Sequence, residues 1–283
     1  MTLARPLVRA DWDRVVVYST QVRRITEPFS ILDNATGRAI NPSDIAAVAS
    51  AAFVANLFPC LSYAFFALDA TEQSAHFPSI AMVPSLRRTV WHISNSPSTP
   101  IPMEPVLQLF TRFIRNCSLQ ITSLELHGCI YSAVEQLLYP SLTQFAHLIH
   151  LTLNTAGGNA HLLLPSLGQL RHLATLQLAI HYYVADSSKA LISKIGPNTV
   201  GSALHQLDLR VPALAILACY PFLISSNARL ESLKVNFQGF TPQDTTVSFT
   251  QLVSDIAVCS QLQSLEIGES HCMGPPKPDP ADV

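Results

Sequence analysis

Apolar and polar positions along the chain follow one recurring order, apolar-x-x-apolar-x-apolar. It runs through Ile121-Thr-Ser-Leu124-Glu-Leu126, Leu148-Ile-His-Leu151-Thr-Leu153 and Leu173-Ala-Thr-Leu176-Gln-Leu178. It returns in Leu204-His-Gln-Leu207-Asp-Leu209, Leu230-Glu-Ser-Leu233-Lys-Val235 and Leu262-Gln-Ser-Leu265-Glu-Ile267. The central positions 124, 151, 176, 207, 233 and 265 are separated by 27, 25, 31, 26 and 32 residues. Weaker copies precede them at Val22-Arg-Arg-Ile25, Leu61-Ser-Tyr-Ala64-Phe-Phe66 and Leu86-Arg-Arg-Thr89-Val-Trp91. The terminal apolar-x-apolar triplet has the period of a β-strand, with both apolar side chains on one face and the x residues on the other. The first apolar residue belongs to the turn that feeds the strand. One such unit cannot bury its own apolar face, but a stack of them can.

Between the triplets lie stretches with helical spacing. Val106, Leu109, Phe110, Phe113 and Ile114 fall three to four residues apart, and Val247, Leu252, Val253 and Ile256 do so less strictly. Pro105, Pro140, Pro165, Pro212, Pro221 and Pro242 mark where these crossovers begin or bend. The expected architecture is α/β: a solenoid with a curved parallel sheet on the concave side and helices on the convex side. An irregular α/β domain is the competing reading, and it must produce six copies by chance. The uncharged stretch from Ile45 to Leu68 imitates a membrane span, but Pro59 divides it. It reads as a helix capped by Ser43 or Asp44, followed by a strand at 61–66.

Composition sharpens this picture in one respect. Only 13% of the 283 residues are charged, against roughly 25% in typical soluble domains. With 48% hydrophobic residues the chain is not of the disordered class, so it buries a long shared framework or lies against a partner. Lys and Arg number 17 and Asp and Glu 19, and this balance argues against a phosphate-backbone binder. No secretory signal pattern opens the sequence, so the six cysteines read as reduced, mostly buried thiols and the compartment as cytoplasmic or nuclear. Residues 271–283, with four prolines and no apolar pattern, are expected to be a disordered tail.

The repeats resemble the leucine-rich repeats that follow an F-box in fungal, basidiomycete-type proteins. Ile121 to Cys129 (ITSLELHGC) carries the consensus with Cys in the ladder position. The corresponding residues elsewhere, Ala156, His181, Pro212, Gln238 and Ser270, depart from it, which implies irregular curvature. Arg5 to Arg14, then Tyr18 and Val22-Arg-Arg-Ile25, resembles the segment that joins F-box to repeats. The resemblance spans residues 5–270. It divides the chain into a linker remnant (1–20), a leucine-rich-repeat domain (21–270) and the tail. It does not reach the F-box itself. In the family the F-box binds the Skp-type adaptor of an SCF ubiquitin ligase and the repeats present a substrate. Adaptor binding is therefore expected only if an F-box lies upstream.

No phosphate-binding glycine loop, nucleophile elbow or dinucleotide fingerprint occurs in the sequence. Ten histidines are present; His147 and His150 stand three apart, and His127, His161, His172, His181 and His205 fall in neighbouring repeats. A zinc site needs three or four converging donors, and this scatter reads instead as surface histidines. No catalytic residue, metal or other cofactor is expected. The outward x positions form the candidate site: Glu125 and His127; Thr152 and Asn154; Gln177; Asp208 and Arg210; Lys234 and Asn236; and Glu266. Arg88, Val90 and His92 would extend the row, and His181-Tyr182-Tyr183 offers an aromatic anchor. Such a mixed polar surface suits a protein with matched charges. The functional expectation is a non-catalytic protein-binding module without nucleic-acid or membrane partners. An α/β enzyme and a repeat fragment without a ligase link stay open beside it.

Overall fold

The computed structural model describes residues 17–25, 58–68, 78, 81–93, 103–130, 132–155, 159–180, 203–211, 229–238, 254, 256–257 and 259–270. All nine copies of the repeat, strong and weak, end in a strand. These are β1 (Arg24–Ile25), β2 (Tyr63–Leu68), β3 (Arg88–Ile93), β4 (Ser123–Ile130) and β5 (His150–Thr155). They continue as β6 (Thr175–Ile180), β7 (Gln206–Val211), β8 (Ser232–Gln238) and β9 (Ser264–Ser270). The strands form one open, all-parallel sheet in strict sequence order. The expected α/β class with a parallel sheet is what the chain adopts.

The register explains the sequence pattern. Ala64, Thr89, Leu124, Leu151, Leu176, Leu207, Leu233 and Leu265 are Cα partners across successive strands. From Ala64 to Leu233 every one is buried. A second row, Phe66, Trp91, Leu126, Leu153, Leu178, Leu209 and Val235, is equally buried. Full burial of one such side chain stabilises by roughly 1.5–3 kcal/mol, so the pattern itself supplies the main driving force.

A further ladder lies just before the strands. The carbonyl of Arg23 accepts the N–H groups of Ser62 and Tyr63, and Ser62 in turn accepts those of Arg87 and Arg88. The same forked bond repeats through Arg87, Thr122, Ile149, Ala174, His205 and Glu231, ending at Gln263 and Ser264. The first apolar residue of several copies also closes a tight turn. Leu61, Leu86, Leu148, Leu173 and Leu262 donate to the carbonyls of Phe58, Val83, Phe145, Leu170 and Cys259.

Among the described residues three helices cover the core face: α1 (Met103–Cys117), α2 (Ser132–Ser141) and α3 (Ala160–Leu167), with a 3-10 turn at Leu142–Gln144. The expected apolar positions of α1, Val106, Leu109, Phe110, Phe113 and Ile114, are all buried, and Cys117 joins them. Glu104 in its first turn and Arg115 in its last suit the helix dipole. The Trp91 ring anchors α1 to the sheet, with centroids 4.8 Å from Phe110, 5.2 Å from Phe113 and 4.5 Å from Phe66. Pro105 falls in the first turn of α1, whereas Pro140 and Pro165 sit inside α2 and α3. Between α2 and α3 a buried polar cluster forms. Glu135 accepts from Tyr139 at 3.1 Å and from Asn159 at 2.8 Å.

Cys117 and Cys259 are buried and Cys60 is half-buried. Burial pushes the Cys117 thiol up to about 12, which keeps it protonated and unreactive. Among the described residues no helix is long and apolar enough to cross a membrane. Tyr63–Leu68 is a strand. The helices expected near 45–53 and 247–256, the linker before residue 17, the tail and the ladder residues Ala156, His181 and Pro212 lie outside the described residues or largely so.

Candidate functional site

Because the leucines alternate with them, the x residues share the opposite face of the sheet. Register places Glu125, Thr152, Gln177, Asp208, Lys234 and Glu266 in one continuous row across β4–β9. Phe65 and Val90 extend that row towards β2. A second row runs Asn154, Ala179, Arg210, Asn236 and Gly268. His127 pairs with His92 on β3, but the register between β4 and β5 shifts after Leu126. The structure thus brings all ten candidate residues onto one face. Arg88, Val90 and His92 lie on the same face of β3, facing away from Thr89, Trp91 and Ile93.

The charges on this face mostly answer one another. Lys234 Nζ lies 2.6 Å from Glu266, His127 Nε2 lies 3.3 Å from Glu125, and Arg210 lies 3.7 Å from Asp208. Thr152 donates to Gln177 at 3.3 Å. These are solvent-facing contacts, each contributing about 0–1 kcal/mol, so they order the surface more than they stabilise the fold.

At the middle of the face the two rows enclose a shallow cavity of about 140 Å³. His127, Thr152, Asn154, Gln177, Asp208 and Arg210 line it, over a floor of Leu153 and Leu178. Asp208 is the unusual member. Its side chain is only 18% exposed, yet Oδ1 is buried with no hydrogen-bond partner. A carboxylate oxygen removed from water without a donor is costly. The cavity therefore offers an acceptor at Asp208, amide groups at Asn154 and Gln177, and a cation at Arg210. That set recognises polar groups. His147 and His172 stack with ring centroids 6.4 Å apart, and among the described residues no three His, Cys, Asp or Glu side chains converge on a point. His181-Tyr182-Tyr183 lies outside the described residues.

The pattern of x residues missed one cluster. Tyr63 on β2 is flanked by Arg24 and Arg88, its register partners on β1 and β3. The weak copies of the repeat hid it, because both arginines occupy x positions of copies whose apolar residues are irregular. In comparisons with known proteins, no family model and no curated protein matches this chain.

Proposed function

We propose that the chain is a leucine-rich-repeat solenoid that binds a protein partner on the exposed face of its sheet, without catalysis of its own. It would act as the substrate-recognition part of F-box receptors does, and any Skp-type adaptor contact would belong to an F-box. Nine in-order parallel strands, of which β2 to β9 are each opened by the same forked hydrogen bond, support the solenoid reading. One observation carries the binding reading: the polar cavity at the centre of the face, lined by Asn154, Gln177, Asp208 and Arg210. A protein contributes matched donors there, and such complementarity sets specificity.

The test has two readouts. A photo-crosslinker at Gln177, compared with one at Arg112 on α1, identifies the partner, whose affinity is then measured for charge reversals at Glu125, Asp208, Arg210 and Lys234. Asp208→Asn is expected to weaken binding about tenfold or more. It should change the stability of the fold by less than about 1 kcal/mol, because the contact with Arg210 that it weakens is a surface ion pair. Unchanged affinity across all these variants refutes the site.

A further inference from the structure

Four arginines, Arg23, Arg24, Arg87 and Arg88, stand on or immediately before β1 and β3, and all four are exposed. Arg87 is engaged locally, its Nη1 donating to the carbonyl of Pro84 at 3.0 Å. Arg24 and Arg88 are held differently. Their guanidinium carbons lie 5.0 Å and 5.9 Å from the centroid of the Tyr63 ring, which the register places between them. A guanidinium fixed by an aromatic ring keeps its fork of in-plane N–H donors available, and that fork matches a carboxylate bidentately.

Among the described residues no carboxylate supplies the match. The described residues between 17 and 93 include no Asp or Glu. The contrast with the other end of the face is direct: Lys234 and Arg210 each have an acidic neighbour within 4.0 Å. Next to the arginines on the same face stands Phe65, half-buried. The patch thus joins two preorganised cations to an apolar contact.

We infer that this Arg24–Tyr63–Arg88 cluster is a docking surface for an acidic segment of another protein, with carboxylates on the two guanidinium groups and an apolar side chain against Phe65. Charge complementarity selects that occupant. A nucleic acid would meet a local patch on a chain of net charge −2, with Glu125, Asp208 and Glu266 further along the same face. The patch lies on β1–β3, upstream of the polar cavity. Its test touches no cavity residue, so either surface can fail while the other stands.

The probe is a fluorescein-labelled peptide of repeated Glu-Glu-Leu, titrated with the intact chain by anisotropy beside a Gln-Gln-Leu peptide and a labelled oligouridylate. The Glu peptide is expected to bind in a salt-sensitive way and the Gln peptide not. Arg24→Gln/Arg88→Gln should weaken binding about tenfold or more. Arg112→Gln/Arg115→Gln, the same charge change on the exposed side of α1, should leave it unaltered, with circular dichroism confirming that both variants fold. Lack of binding by the Glu peptide, or equal loss in the helix variant, overturns the inference. Tighter binding of the oligouridylate overturns it in favour of nucleic acid. Self-association that disappears in Arg24→Gln/Arg88→Gln, without competition by the peptide, overturns it in favour of a second copy.

Discussion

Thr89 shows what a single residue does to a repeat. It occupies the row otherwise filled by Ala64 and six leucines, and its Oγ1 is buried with no hydrogen-bond partner. Such a hydroxyl costs about 1–3 kcal/mol, because it has left water and gained nothing in return. Thr89→Val replaces the hydroxyl by a methyl of similar shape and should stabilise the protein by about 1 kcal/mol, raising Tm by about 2 °C or more. Thr152→Val, on the solvent face and in the candidate site, should give no such gain. Equal or lower Tm for Thr89→Val in a thermal melt would show that the hydroxyl is hydrated after all. Thr89 and Asp208 share a logic: each is a polar atom the fold has desolvated. They differ in where they point. Thr89 lies wholly in the core, whereas Asp208 lines the cavity and has its Oδ2 beside Arg210.

At the scale of elements, β4 is the irregular strand. It is eight residues long, its register to β5 shifts between Leu126 and Ile130, and Gly128 has φ of 91°. A Cβ on Gly128 would run into the backbone carbonyl of Ile93. Gly128→Ala should therefore destabilise by about 3 kcal/mol, from the left-handed backbone and the clash together. Chemical denaturation measures it, and a loss under about 1 kcal/mol would mean that β4 runs without its bulge. The ITSLELHGC stretch pointed to a regular repeat, yet its Gly marks the one place where the ladder breaks step. The strands were legible because apolar alternation reports directly on which face is buried. Less visible were the turns before them, where Phe58, Val83, Phe145, Leu170 and Cys259 form another buried or half-buried position three residues ahead of five of the copies. Phe, Val, Leu and Cys serve there alike, so the identity varies while the burial does not. The polar row was legible for the same reason as the strands. The Arg24–Tyr63–Arg88 stack was not, because cation–aromatic contact depends on cross-strand register, which a pattern within one strand does not encode.

At the scale of the molecule, each described strand pairs with the described strand before it and the one after it. Stability in such an array is a sum of local terms and neighbour contacts, so the cost of a substitution depends on where along the array it falls. Leu207 and Leu265 make the comparison clean, since they occupy the same row and the same place in the repeat. Leu207 is 2% exposed and Leu265 is 48% exposed, and Ile267 beside it is 37% exposed. Leu207→Ala should cost about 2–5 kcal/mol, the range for a buried leucine that leaves a cavity. Leu265→Ala removes side chain that is already half in water and should cost under about 1 kcal/mol. Hydrogen exchange follows the same gradient: amides of β9, at the edge of the sheet, should exchange well before those of β6 and β7, which lie between two neighbours. Equal costs for the two leucines, with equal protection of β9 and β7, would require a cover over β9 that joins the whole sheet into one cooperative unit. The expected result is instead a graded array, stiff under the polar cavity and loosening towards Ser270.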